Sequence, residues 1–184
     1  MPGSVLALVA LLADQYTKWL VIEKMLRIEN PFAGGFFQWL MTERKIEFFM
    51  NEREAFNSIE LAPFLNFVMV WNQGISFGLF DSNEPVMAVI LTAVALAASL
   101  LLLIGLAVAS KKTVATALGL IIGGALGNAL DRIRFGAVAD FVDVHAGSWH
   151  WPAFNLADSC IVIGAGIMII ETFASGRRPN HAQG

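Results

Sequence analysis

Apolar residues along this chain fall into four long blocks, separated by stretches in which polar residues gather. The blocks cover about residues 4–22, 85–110, 113–130 and 153–173. No Asp, Glu, Lys or Arg interrupts the second or the third. Runs of that length predict helices that cross a bilayer, because about 20 apolar residues cover its hydrocarbon thickness. Only Lys111 and Lys112 separate the second block from the third, so those two helices must form an antiparallel hairpin. The pattern predicts an all-α membrane protein of four transmembrane helices, with residues 1–184 forming one integral membrane domain.

The segment 23–84 is the one stretch long enough to build structure outside the bilayer. Residues 62–80 mix β-branched and aromatic side chains around Asn72-Gln73-Gly74, which predicts two short strands about that turn. Before them, Phe36, Phe37, Trp39, Leu40, Phe48, Phe49 and Met50 are interspersed with charges, as in an amphipathic piece lying on the membrane surface. Charge follows the same division. Of the 27 charged residues, 12 lie between Glu23 and Glu60.

Composition sharpens this picture. The chain is 57% hydrophobic and 15% charged, with a mean hydropathy of +0.64, whereas soluble domains carry about a quarter of charged residues. A net charge of −3 argues against nucleic acid as a partner, since phosphate needs a basic face. The single cysteine, Cys160, excludes an intramolecular disulfide and reads as a small buried hydrophobe. At the N-terminus, Val5 to Ala13 is apolar, but no basic stretch precedes it and Asp14, Gln15 and Lys18 follow. That predicts a retained span in place of a cleaved signal peptide. Orientation is not decided by charge: Lys111, Lys112, Arg177 and Arg178 on one side balance Lys24, Arg27, Arg132 and Arg134 on the other.

Ionisable residues at membrane depth are costly and usually face a bundle interior. Asp14 and Lys18 are four apart on one helix face, beside Gln15, and read first as an internal ion pair. Asn128, Asp131 and Arg132 share a face after the small-residue run Gly123-Gly124-Ala125-Leu126-Gly127. There, Asp131 and Arg132 are placed to cap the helix end. Asp140 lies in an apolar stretch, 136–141, that returns to the membrane, and Asp158 stands near the start of the fourth span. Two carboxylates that meet in low dielectric share a proton, hold a water and cut a peptide bond. The alternatives are plain ones: Asp158 caps a helix, and Asp140 and Asp143 are solvated loop carboxylates. An ion path through Asp14, Lys18, Asp131 and Asp140 is a third reading. His145 and His150, flanking Trp149, read as interfacial neighbours of the aromatics, not as metal ligands.

Five motifs in order narrow these readings. Asp14-Gln15-Tyr16-Thr17-Lys18, Asn72-Gln73-Gly74-Ile75-Ser76-Phe77, Gly127-Asn128-Ala129-Leu130-Asp131-Arg132, Gly136-Ala137-Val138-Ala139-Asp140-Phe141 and Phe154-Asn155-Leu156-Ala157-Asp158 together resemble the bacterial lipoprotein signal peptidases (signal peptidase II). The resemblance implies a multi-pass inner-membrane aspartyl endopeptidase with cytoplasmic termini and an active site toward the periplasmic face. It implies Asp140 and Asp158 as the catalytic pair. Asp14, Lys18, Asn72, Gly74, Asn128, Asp131, Arg132, Asn155 and Ala157 would shape the site or bind substrate, with a small β-cradle around Asn72. The implied substrates are diacylglyceryl prolipoproteins in membrane lipid, the implied inhibitors globomycin-type cyclic peptides, and the implied assembly a monomer. Water is the nucleophile, so neither metal nor organic cofactor is expected. The stretch 24–60 is longer and more charged than the family pattern and touches none of the motifs.

Overall fold

The computed structural model describes residues 2–28, 32–42, 56–74 and 85–176. In chain order these form α1 (Pro2–Trp19), continued by a π-helical stretch (Leu20–Leu26), then α2 (Phe36–Met41), β1 (Ile59–Ala62) and β2 (Leu65–Asn72). There follow α3 (Pro85–Val108), α4 (Lys112–Phe135), β3 (Val138–Ala146), β4 (Trp149–His150) and α5 (Leu156–Gly176). Four candidate spans, Pro2–Leu26, Val86–Val108, Lys112–Phe135 and Leu156–Ser175, are long and apolar enough to cross a membrane. The chain is a multi-pass membrane protein.

The centre of the bundle is α4, and its small residues explain why. In lipid there is little hydrophobic drive between helices, so close backbone approach and polar contacts hold them together. A Cβ at Gly123 would sit 2.7 Å from the Ala10 Cβ, so the glycine admits α1. Gly124, one residue on, abuts the Ala157 carbonyl of α5 on another side. The outlying helix is α3, which packs Leu102 and Leu106 on the Ala7–Leu118–Ile122 cluster and leaves Val89, Leu101 and Ile104 to lipid. At the far end of the bundle, Lys111 Nζ reaches Glu171 Oε1 at 2.6 Å and ties the α3–α4 hairpin to the C-terminal end of α5.

The opposite end carries an antiparallel sheet of order β1-β2-β3-β4. Its first hairpin turns at Pro63-Phe64, between β1 and β2. The sequence also predicts a turn at Asn72-Gln73-Gly74: β2 ends at Asn72, and the strand expected beyond that turn falls on 75–80, outside the described residues. Burial of Phe67 against Phe141 and Val21 draws the strand onto the bundle, which local turn chemistry could not foretell. The apolar stretch after Gly136 is likewise a strand, β3, laid along β2 from Leu65↔Val144 to Asn72↔Val138. One correction concerns α4. It runs to Phe135, past the last apolar residue of the third block, and ends at Gly136 with φ 83° and its N–H on the Arg132 carbonyl. Glycine at this left-handed position stops the helix without strain, so Asp131 and Arg132 lie within the last turns and do not cap the end.

The π-helical stretch positions the remaining outer segment. Its wider turn, with the Arg27 N–H on the Ile22 carbonyl at 3.0 Å, buries Ile22, Glu23 and Leu26. Glu23 then accepts from Trp39 Nε1 at 3.0 Å and from the Phe32 N–H at 2.9 Å. Of the predicted amphipathic residues, Trp39 is buried, Phe36 packs on Tyr16 and Trp19, and Phe37 is exposed. Phe48, Phe49 and Met50 lie outside the described residues.

Candidate active site

Asp140 and Asp158 reach one place by different routes. Asp140 stands on β3 opposite Val70, just past an irregularity between Phe67 and Val70 on β2. Such a bulge twists a strand and re-aims the side chains beside it. Asp158 sits in the first turn of α5. The corner before that helix is pinned to β3, since the Phe154 carbonyl accepts from the Val142 N–H at 2.8 Å and Phe154 N–H donates to the Val142 carbonyl at 3.1 Å.

Asn155 joins the two carboxylates. Its Nδ2 donates to Asp140 Oδ1 at 2.7 Å. Its Oδ1 accepts from the Asp158 N–H at 2.9 Å, and its own N–H donates to Asp158 Oδ2 at 3.2 Å. The last two bonds are a reciprocal capping box: each residue satisfies a backbone donor that the helix start leaves free. Asp158 thus does serve the cap foreseen as an alternative, with one oxygen. Its other oxygen, Oδ1, accepts from Asn128 Nδ2 at 2.8 Å. Asp140 Oδ2 accepts from Asn72 Nδ2 at 3.0 Å, and Asn72 Oδ1 turns back to the Gly74 N–H. Arg132 donates to the Gly74 carbonyl at 3.2 Å and stands within electrostatic reach of both carboxylates.

The carboxylates differ in surroundings. Asp140 is 1% exposed. Burial first, and the charge of Asp158 second, push its pKa up to about 7, against the hydrogen bonds of Asn72 and Asn155 and the charge of Lys18. Asp158 is half-buried and lines an apolar groove of about 390 Å³ with Trp151, Pro152, Phe154 and Val162.

Behind Asn128 lies a buried ionic frame. Lys18 Nζ meets Asp131 Oδ2 at 2.7 Å, Asp14 Oδ2 at 2.8 Å and Asn128 Oδ1 at 3.4 Å, so each of its three donors has an acceptor. Asp14 Oδ1 accepts the Ala157 N–H at 3.0 Å, and Asp131 Oδ2 accepts the Ala139 N–H at 3.1 Å. The frame grips the backbone beside each member of the pair. The structure therefore brings Asp14, Lys18, Asn72, Gly74, Asn128, Asp131, Arg132, Asn155 and Ala157 into one connected network around Asp140 and Asp158.

Two participants were not singled out as site residues from sequence. Gln15 donates to Asp131 Oδ1 at 2.8 Å, and Arg134 donates to Gln15 Oε1 at 3.0 Å. Gln15 gave a signal, being polar at membrane depth beside Asp14; Arg134 looked like one more charge at a span end. Asp143 is not a solvated bystander. It takes His150 Nδ1 at 2.8 Å and Asn66 Nδ2 at 3.1 Å, and these bonds hold its pKa below the usual carboxylate value although burial opposes them. Among the described residues, no group of three or more His, Cys, Asp or Glu is arranged to hold a metal ion.

A profile of the family described as Signal peptidase (SPase) II matches residues 6–174. The chain belongs to the signal peptidase II family. It is 48% identical over 118 residues to a lipoprotein signal peptidase of Methylorubrum extorquens, covering 64% of this chain and 69% of that one. A longer match, 34% identical over 166 residues, is to a lipoprotein signal peptidase of Polynucleobacter necessarius and covers 89% and 84%. In fold the chain is similar to a bacterial membrane enzyme solved by the in meso method, with a TM-score of 0.68 at 24% identity, over 100% of this chain and 94% of that one. As a member of the family it is a peptidase, and the network described above sits where the spans and the small sheet come together.

Proposed function

We propose that this peptidase removes signal peptides from prolipoproteins, cutting before a diacylglyceryl-modified cysteine, with Asp140 and Asp158 as an aspartyl dyad. The observation that carries the reading is Asn155, which hydrogen-bonds both carboxyl groups at once and holds them to one site. Asp140, buried and titrating near 7, holds the shared proton; Asp158, open to the groove, is the base. A water between them loses a proton to Asp158 as its oxygen bonds to the scissile carbonyl carbon. Asp140 gives its proton to the carbonyl oxygen. As the C–N bond breaks, Asp158 passes its proton to the leaving nitrogen and a hydroxyl of the intermediate returns one to Asp140. No cofactor enters this sequence of proton transfers.

The other residues take supporting parts. Asn128, Asn72 and Asn155 fix the carboxyl orientations, Arg132 balances their charge, and Asp14, Lys18, Asp131 and Ala157 hold the frame. Gly74 and Asn72 present the edge of the cradle to substrate. The chain acts as a monomer and as one membrane domain, with 23–84 outside the bilayer. It lies in the bacterial cytoplasmic (inner) membrane with the dyad at the outer face, where the substrate's acyl chains remain in lipid while its scissile bond reaches the pair. A globomycin-type cyclic peptide blocks the site by occupying the dyad.

Purified Asp140→Asn and Asp158→Asn proteins, incubated with a lipidated prolipoprotein, test this by the gel shift of the processed product. Both should be folded and inactive, and wild-type cleavage should stop with globomycin. Substantial cleavage by either variant would sink the dyad.

A further inference from the structure

Arg134 is 5% exposed, although a residue at a span end has water within reach of its side chain. It turns inward and is shared between two parts of the molecule. Nη2 donates to the Trp39 carbonyl at 2.6 Å, and the guanidinium lies 4.1 Å from the Trp39 ring and 4.5 Å from the Phe135 ring. Nη1 donates to Gln15 Oε1 at 3.0 Å. That bond settles the amide orientation of Gln15 and aims Nε2 at Asp131 Oδ1, 2.8 Å away. Asp131 in turn takes the N–H of Ala139, the residue before Asp140, and the Ala139 carbonyl accepts from Asn155 at 3.3 Å.

An apolar route runs parallel to this polar one. Trp39, Phe135, Ile22 and Ala139 form one buried cluster, so the ring that stacks on Arg134 also belongs to the core that contains Ala139. Trp39 is held from the other side by Glu23, which accepts its Nε1–H and the Phe32 N–H. Segment 32–42 is therefore docked at both ends of the Trp39 side chain. It belongs to the 24–60 stretch, which contains none of the five sequence motifs but packs Phe36 on Tyr16 and Trp39 with Ala139.

We propose that Arg134 is a positioning residue for the dyad, and that it holds the start of β3 in place only while segment 32–42 is docked on it. The proposal rests on Asp140 and Asp158 being the catalytic pair. It ties the extra segment to catalysis, since its docking is required for the carboxyl geometry though no atom of it touches the dyad. A small displacement of β3 is enough, because a catalytic group moved by about 1 Å commonly loses on the order of 100-fold in rate.

The test uses the full-length protein in detergent micelles with a synthetic diacylglyceryl-cysteine peptide spanning the cleavage site. Wild type, Arg134→Gln, Arg134→Lys, Trp39→Ala and Asp140→Asn are compared for kcat, KM, pH profile and thermal unfolding. Arg134→Gln and Trp39→Ala should each lower kcat by about 10-fold or more with KM within about twofold. They should also move the alkaline limb of the profile to lower pH, as water reaches Asp140 and relieves its desolvation. Arg134→Lys, which keeps charge but not the planar fork, should recover only part of kcat. An unmoved pH profile and kcat, with Asp140→Asn inactive, would overturn this inference and leave the dyad standing. A loss of kcat that merely tracks lowered thermal stability, with the profile unmoved, would also overturn it. Activity in Asp140→Asn would remove the dyad and this inference together. Should Arg134→Gln not fold, Trp39→Ala decides in the same ways.

Discussion

Replacing Lys18 by methionine keeps the length of the side chain and removes its charge. Lys18, Asp14 and Asp131 are each 0% exposed, and the ammonium is 2.8 Å and 2.7 Å from the two carboxylates. The substitution leaves two buried carboxylates without their shared cation. They keep Gln15, Ala139 N–H and Ala157 N–H as hydrogen-bond donors, so the loss is not total. Breaking a buried ion pair by removing one partner costs about 3–5 kcal/mol, and the retained bonds place this case near the lower figure. For a chain of this length that is a fall in Tm on the order of 10 °C, read from tryptophan fluorescence during heating in detergent. Adding Asp131→Asn should recover part of the loss, because one orphaned charge is gone; the double-mutant cycle should give a coupling of roughly 1–3 kcal/mol. Activity should fall further than stability, since Asn128 loses the Lys18 donor that helps orient it toward Asp158. A Lys18→Met protein that melts within about 2 °C of wild type would refute the idea that this lysine neutralises the frame.

Three further outcomes follow from the same geometry. A Cβ at Gly127 would stand 2.6 Å from Asp14 Oδ2, so Gly127→Ala should push the carboxylate off Lys18 and cost about 1–3 kcal/mol, measured by denaturation in mixed micelles. Asn155→Ala should lose a helix cap worth about 0.5–2 kcal/mol and on the order of 100-fold in kcat; wild-type kcat would contradict its bridging role. For pH, the folded pKa of Asp140 is raised from 3.8 to about 7, so the folded state binds the extra proton between those values. Stability should therefore be greatest below about pH 4 for this group and decline as pH rises to about 7, by at most roughly 4 kcal/mol. Asp140→Asn should flatten that slope; a slope equal to wild type would show that other groups cause it.

Much of the fold can be read from the chain because a bilayer imposes a coarse rule. A span needs a long apolar run, and the runs at 85–110 and 113–130 contain no charge to obscure it. The Asp14–Lys18 pair is equally legible, since helical spacing puts i and i+4 on one face whatever surrounds them. Local patterns carry such features on their own. The ordered motifs carried the family in the same way, without need of coordinates.

What the tertiary structure alone decided lies where contacts join distant segments. The hairpin turn at Pro63-Phe64 was not foreseen, because it depends on Phe67 having Phe141 and Val21 to pack on. Asp131 became part of the frame once α4 continued past it to Phe135, bringing it between Lys18 and Ala139. Arg134 could not be told from Arg132 by position. One supports Gly74 beside the carboxylates and the other stacks under Trp39, almost a hundred residues away in the chain. Asp140 and Asp158 themselves were two carboxylates among several in the sequence. They became a pair through Asn155, whose cap geometry fixes one and whose side chain reaches the other across the junction of strand and helix. Apolar periodicity is local and survives in the sequence; the meeting of polar groups depends on backbone paths that only packing selects.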